Sequence, residues 1–190
     1  MRFIPLGIDG AWRVESEVHL DFRGSFREWF KSEEVKKVTG MDFSVAQANV
    51  STSGKGVIRG IHYSLAPQGQ AKWVTCVSGR ILDVIVDIRP SSETFKYVEY
   101  VELKSTDANA ILIGPGLGHG FIALEENSIV SYLLNSPYSP ENEYEIRPKD
   151  IDLAINWPSD LTQIKEFVLS EKDEGAPTLS ARLSEGKLPN

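Results

Sequence analysis

Cysteine is nearly absent. Cys76 is the one thiol in 190 residues, so no internal disulfide can form, and a reducing compartment is favoured. Histidine is scarce too: with only His19, His62 and His119, a metal site of three imidazoles would consume every histidine in the chain. No run of about 18 apolar residues occurs, which excludes a membrane-spanning helix. The start, Met1-Arg2-Phe3-Ile4-Pro5, lacks the apolar stretch of a signal peptide, and a cytoplasmic protein is expected. Positive charge is in deficit, 20 Lys and Arg against 27 Asp and Glu. The net charge of −7 argues against nucleic acid or an anionic membrane as partner. An anionic small ligand would need a local cluster of Arg and Lys. What is present, 41% hydrophobic and 25% charged residues, is the composition of a globular protein. Residues 1–190 suit one domain with a real core, ending in a polar tail over 178–190 that is expected to be loosely ordered.

The apolar pattern is one of many short strands. Residues 12–20 alternate, with Val14, Val18 and Leu20 on one face. Asp21-Phe22-Arg23-Gly24 is a turn signal, followed by a short strand over 25–30. Residues 33–40 have helical character, and 43–50 and 56–63 read as strands around a loop at 65–70. The runs 71–78, 81–88, 97–103, 110–113, 121–124 and 129–134 are β-rich. Ser78-Gly79-Arg80 has the form of a hairpin turn. A short helix is expected over 160–169. Turn signals recur roughly every 8–12 residues, which predicts an all-β sandwich or barrel with a few short helices. In residues 81–88, Leu82, Val84, Val86 and Ile88 form an apolar face, while Asp83 and Asp87 share the other with Ile81 and Ile85. Two carboxylates on a half-apolar face are either solvated strand-end residues or the lining of a polar cavity.

Chemistry concentrates at Arg59-Gly60-Ile61-His62-Tyr63, followed ten residues after the histidine by Lys72. A histidine can take up a proton near neutral pH, and a lysine ammonium can stabilise the oxyanion formed when a proton leaves the carbon beside a ketone. The pair points to proton abstraction α to a carbonyl. Four further segments accompany it in order: Gln70-Ala71-Lys72, Asp83-Val84-Ile85-Val86-Asp87-Ile88-Arg89, Gly118-His119-Gly120-Phe121 and Leu169-Ser170-Glu171-Lys172-Asp173. Together they resemble the dTDP-4-dehydrorhamnose 3,5-epimerase family of deoxysugar biosynthesis over about residues 12–177.

The resemblance implies an all-β, cupin-type jelly roll assembled as a homodimer, working without cofactor or metal. Metal-binding cupins usually carry H-x-H, but the residue two after His62 is Ser64. It further implies that His62 is the general base, held by Asp173, and that Lys72 stabilises the enolate at O4. Tyr132 would reprotonate the carbon from the opposite ring face. Arg23, Phe26 and Glu28 resemble a segment that reaches the nucleotide of the partner subunit. Gln47, Asn49, Arg59, His119, Tyr138, Glu143 and Lys172 resemble the remaining substrate contacts, with Tyr138 against the thymine and Arg59 and Lys172 on the diphosphate. The implied reaction is epimerisation of dTDP-4-dehydro-6-deoxy-D-glucose at C3 and C5 to dTDP-4-dehydro-L-rhamnose. Epimerisation at C3 alone and a non-catalytic sugar-nucleotide binder are the alternatives. Strict alternation would put Arg59 and His62 on opposite faces of their strand, so a shared site requires a bulge or sharp twist at Gly60.

Overall fold

A computed structural model of the chain describes residues 1–65, 69–158, 164 and 166–190. In chain order the strands are β1 (Arg2–Pro5), β2 (Ala11–Glu15), β3 (His19–Asp21), β4 (Gly24–Phe26), β5 (Gln47–Ser53), β6 (Ile58–Ser64), β7 (Lys72–Ser78), β8 (Arg80–Asp87), β9 (Val98–Lys104), β10 (Asn109–Ile113), β11 (Leu117–Ala123), β12 (Ser128–Leu134) and β13 (Glu143–Glu145). Three short α-helices, α1 (Ser32–Thr39), α2 (Glu171–Glu174) and α3 (Leu179–Ser184), and one 3-10 turn at Pro140–Asn142 complete the described elements. No helix among the described residues is long and apolar enough to cross a membrane.

The strands form a six-stranded sheet in the order β1-β2-β10-β7-β12-β5 and a five-stranded sheet in the order β13-β6-β11-β8-β9. A separate hairpin pairs β3 with β4. Every pairing between these strands is antiparallel, the arrangement of a jelly roll. The period of two in each strand sorts side chains into layers. Val74, Cys76, Ile111, Ile113 and Val130 of the larger sheet meet Ile81, Ile85, Leu103, Leu117 and Phe121 of the smaller one. The outer face of the larger sheet, with Trp73, Leu112 and Leu133, is covered by Val35 of α1 and by Phe43. The outer face of the smaller sheet, with Ile58, Ile61, Val84 and Val86, is covered by Ile146, Leu153, Trp157, Leu179 and Leu188.

Several expectations change. The alternating run 12–20 is not one strand: β2 ends at Glu15, and Val18 and Leu20 are exposed while Val14 is buried. Ser78-Gly79-Arg80 is not a hairpin turn, because β7 pairs with β10 and β12 whereas β8 pairs with β9 and β11. The turn is a corner that carries the chain from one sheet to the other. The strand expected from residue 43 begins at Gln47, since Phe43 is used to pack beneath α1. The loop at 65–70 and the helix at 160–169 fall partly on residues outside those described; the described end of the latter is not helical, and Val168 bridges Val57 in parallel. The tail is docked rather than loose. Leu179 and Leu188 are buried, and the Tyr63 hydroxyl donates to the carbonyl of Lys187 at 2.7 Å.

The bulge required at Gly60 is present. His119 stands opposite His62, and Phe121 stands opposite Arg59. The chain advances three residues in β6 for two in β11, so one residue of β6 is extra. His119 and Phe121 are two apart and share a face, so Arg59 and His62, three apart, are brought to that same face. The crossing is close enough to demand glycine on both strands. A Cβ on Gly60, whose φ is +126°, would lie 2.5 Å from Cα of Gly120, and one on Gly120 would lie 2.8 Å from the carbonyl oxygen of Arg59. Replacing Gly60 with alanine is therefore expected to lower the unfolding free energy by about 2 kcal/mol or more, measured by urea denaturation. Unchanged stability would contradict the close approach.

Candidate active site

The bulge turns β6 toward an opening between the two sheets. A cavity of about 430 Å³ there is lined by Arg59, His62, Lys72, His119, Phe121, Tyr132, Lys172 and Asp173, among others. A second cavity of about 210 Å³ shares His62, Lys72, Tyr132 and Lys172 with it and adds Gln47, Asn49, Gln70, Tyr138 and Glu143. The two form one groove with an inner and an outer part.

Each wall supplies different chemistry. The smaller sheet carries His62 on β6 and His119 on β11, in register. Nε2 of His62 lies 2.7 Å from Oδ1 of Asp173. With Nε2–H donating to that carboxylate, Nδ1 keeps the lone pair and is the atom able to take up a proton. Burial works to raise the Asp173 carboxyl, but the hydrogen bond and charge of His62, with help from Ser170 and the Gly60 backbone, outweigh it and hold it below the usual carboxylate range. Asp173 is positioned by the first turn of α2, where its N–H donates to Oγ of the capping Ser170 at 3.1 Å. The segment leading there is tied to β6 by Ile58 N–H donating to the Val168 carbonyl at 2.9 Å. A capping environment and a histidine partner thus coexist at Asp173.

His119 repeats the arrangement deeper in the groove, with Nε2 2.9 Å from Oδ2 of Asp83. Asp83 is fully buried, and burial pushes its carboxyl up against the opposing effect of His119. Neither Asp83 nor Asp87 is a solvated strand-end residue, since both are buried. Asp83 lies in mid-strand behind His119 and lines neither cavity itself. Asp87 is also buried, but it accepts from Arg89, Ser92 and Thr94, which stabilise its charge and bring its pKa down to about 2 despite burial. Asp87 fastens the turn after β8 and does not line the groove.

The larger sheet carries Lys72 on β7 and Tyr132 on β12. Lys72 pairs in register with Leu134, two residues from Tyr132, so both side chains lie on the inner face. Lys72 is buried, and desolvation lowers its pKa from the ordinary lysine value while Glu143 and Asp83 resist that shift. The buried Lys72 amine thus lies in the field of two carboxylates, with little water to compete for what it donates to. Tyr132 stands opposite Asn49 of β5, and Gln47 is two residues further along the same face. Gln47 Nε2 donates to Oδ1 of Asn49 at 2.9 Å, and Oε1 of Gln47 accepts from the Tyr138 N–H at 2.8 Å. That bond sets the exposed Tyr138 ring at the outer end of the groove.

Cations frame the inner cavity. Arg59 donates from Nε to Oγ of Ser53 at 3.1 Å and from Nη2 to the Thr52 carbonyl at 3.2 Å. Lys172 reaches Glu145 at 3.1 Å. Arg23, Phe26 and Glu28 do not line either cavity. Arg23 pairs with Asp21, Glu28 with Lys31 at 2.6 Å, and Phe26 is exposed on the β3–β4 hairpin. Asp83 was missed as the residue that holds His119, although its place on the face of Ile81 and Ile85 was the signal. Phe121 and Ser51 were missed as well, because nothing in an apolar or hydroxyl residue within a strand marks it as lining a cavity.

A jelly roll whose two sheets face each other with a paired histidine on one side and a phenol and buried lysine on the other defines a class of proton-transfer site. The comparisons agree. The family model described as dTDP-4-dehydrorhamnose 3,5-epimerase matches residues 5–181. A dTDP-4-dehydro-6-deoxyglucose 3-epimerase of Streptomyces bikiniensis is 44% identical, with 97% of this chain and 92% of the relative covered. A dTDP-4-dehydrorhamnose 3,5-epimerase of Mycolicibacterium smegmatis is 42% identical, covering 97% of this chain and 89% of the relative. Among solved structures, the Mycobacterium tuberculosis epimerase superposes with a TM-score of 0.96 at 40% identity, over all of this chain and 94% of that one. The chain belongs to the dTDP-4-dehydrorhamnose 3,5-epimerase family.

Proposed function

We propose that the protein is an isomerase that epimerises dTDP-4-dehydro-6-deoxy-D-glucose at C3 and C5, giving dTDP-4-dehydro-L-rhamnose. The observation that carries this reading is the placement of His62 and Tyr132 on opposite walls of one groove. A hexose ring lying between the sheets has one face toward each. His62, oriented by Asp173, takes the proton from C5 or C3, and the electron pair of that C–H bond moves into an enolate whose charge rests on O4. Lys72 stabilises that oxygen; an electrostatic contribution of this kind is worth about 3 kcal/mol. The Tyr132 hydroxyl then donates a proton to the carbon from the other face, which inverts it. The tyrosinate then regains a proton from solvent, and the His62 imidazolium releases the one it took to solvent. His119, oriented by Asp83, supplies a second polar group on the base's wall.

The charge pattern supports the substrate class. Arg59 and Lys172 stand where the net charge of −7 is locally reversed, and guanidinium and ammonium groups suit a diphosphate. Tyr138 offers an exposed ring on which a thymine can stack. Gln47, Asn49 and Glu143 supply polar atoms between them, and Oε1 of Glu143 is buried with no hydrogen-bond partner among the described residues. No cofactor is required, because the reaction involves no net redox change. The protein acts in the cytoplasm as one domain over its 190 residues.

A second reading, epimerisation at C3 alone, has its own support in the Streptomyces relatives named as 3-epimerases at 44% identity. The solved structure of a 3′-monoepimerase of Streptomyces bikiniensis in complex with dTDP-quinovose also superposes with a TM-score of 0.92. Both reactions use the same base and donor, so they differ in which carbon the ring presents. Incubation with dTDP-4-dehydro-6-deoxy-D-glucose in D₂O, followed by NMR, separates them. Deuterium with inversion at both carbons is expected; label with inversion at C3 alone would replace the main reading by the second. No exchange, with the nucleotide bound, would defeat both.

The protein also works as a homodimer in which the β3–β4 hairpin of one copy reaches the groove of the other. Phe22 is 98% exposed, Leu20 78% and Phe26 66%, an apolar concentration that a lone chain would leave in water. Arg23, Phe26 and Glu28 travel on that hairpin or just after it. Light scattering is expected to give twice the chain mass for the protein and a lower mass for Phe22→Asp. A monomeric native protein would contradict the pairing.

A further inference from the structure

We propose that Arg182, on a helix outside the groove, is a positioning residue that acts through Glu145 on Lys172 and so sets how strongly the site holds a diphosphate. The proposal rests on the assignment of Lys172 to that group made above. Neither Arg182 nor Glu145 lines either cavity. Glu145 closes β13 and stands opposite His62 in the ladder with β6. Its carboxylate is shared: Oε2 accepts from Lys172 Nζ at 3.1 Å, and Oε1 accepts from Arg182 Nη2 at 3.3 Å. Arg182 also donates from Nε to the Glu145 carbonyl at 3.1 Å and from Nη1 to Glu185 at 3.1 Å, and its guanidinium lies 5.2 Å from the centroid of the Tyr144 ring.

This cluster is held rigidly and partly out of water. The Arg182 and Glu145 side chains are 12% and 16% exposed, so their interaction escapes much of the screening that weakens surface pairs. Thr178 caps α3 by accepting from the Ala181 N–H, Leu179 is buried beneath it, and the carbonyl of Lys187 accepts from Tyr63. The Tyr63 and Tyr144 rings stack at 5.8 Å, so the base of α3 is built onto the strand that carries His62.

The electrostatics follow from one anion serving two cations. While Arg182 takes part of the Glu145 charge, Lys172, itself exposed at the groove, is only partly neutralised and keeps attraction for an incoming anion. Asp173 and Tyr138 also act on Lys172, and Glu145 is the largest influence raising its pKa. Without Arg182, the whole Glu145 charge falls on Lys172. The lysine is then pinned and neutralised, and the carboxylate repels the diphosphate.

The test is dTDP affinity by calorimetry, with steady-state kinetics beside it. Arg182→Met is expected to weaken dTDP binding by about threefold to fivefold and to raise KM in step, with kcat within about twofold of the original. Glu145→Gln alone should bind dTDP as tightly as the parent or more tightly. The double variant should return to within about twofold of Glu145→Gln. If Arg182 merely holds α3 in place, the double variant stays as weak as Arg182→Met, which overturns the proposal. Unchanged affinity in Arg182→Met, or weaker binding in Glu145→Gln, overturns it too, and the latter stands even if Arg182→Met does not fold. Lys172→Met separates this idea from its foundation: unchanged dTDP affinity removes the diphosphate assignment and the proposal together. Weak binding there, with Arg182→Met like the parent, removes only the proposal.

Discussion

The approach of β6 to β11 at Gly60 and Gly120 is the constraint on which the site depends. Two backbones that close leave no room for a side chain on either, and the extra residue in β6 is absorbed there. Without the bulge, the period of two would turn Arg59 away from the groove whenever His62 faced it. The glycines that flank the functional residues in Arg59-Gly60-Ile61-His62 and Gly118-His119-Gly120 are thus part of the same device. They allow the Arg59 guanidinium and the His62 imidazole to reach one groove from one short strand.

A second principle organises the interior. The space between the sheets is apolar over most of its extent, where Val74, Ile85, Ile111 and Val130 meet, and polar at one end. The polar end contains several buried ionisable groups, each with compensation. Asp173 has His62, Asp83 has His119, and Lys72 lies in the field of Glu143 and Asp83. Buried charge without such partners would cost several kcal/mol per group. The pairing also fixes direction, since each carboxylate holds its imidazole toward the groove. His62 and Tyr132, the proposed base and proton donor, are placed on different sheets, so the jelly roll itself supplies the two-faced geometry that inversion at carbon requires.

Much of this was legible in the chain. Short alternating runs with frequent turns mark the all-β architecture, and the conflict between Arg59 and His62 locates the bulge at Gly60. Local pattern failed where long-range pairing decides. Ser78-Gly79-Arg80 has good hairpin chemistry, yet β7 pairs with β10 and β12 and β8 with β9 and β11, and the turn became a corner. Asp83 was ambiguous because a carboxylate on a half-apolar face says nothing about what lies across from it; His119 does, and it comes from a strand far along the chain. The tail looked polar because Leu179 and Leu188, which anchor it, are isolated among polar neighbours. Nor does any local signal reveal that Arg182 and Lys172 meet on one carboxylate.

The proposed inversion depends on the division of labour between the two walls. The most direct measurement is proton exchange in D₂O by Tyr132→Phe, followed at C3 and C5 by NMR with His62→Asn as the companion. With the donor removed and the base intact, the substrate should take up deuterium with its configuration retained, because His62 can only return a proton to the face it came from. His62→Asn should show neither exchange nor inversion. Inversion by Tyr132→Phe at the rate of the parent would contradict the two-walled mechanism.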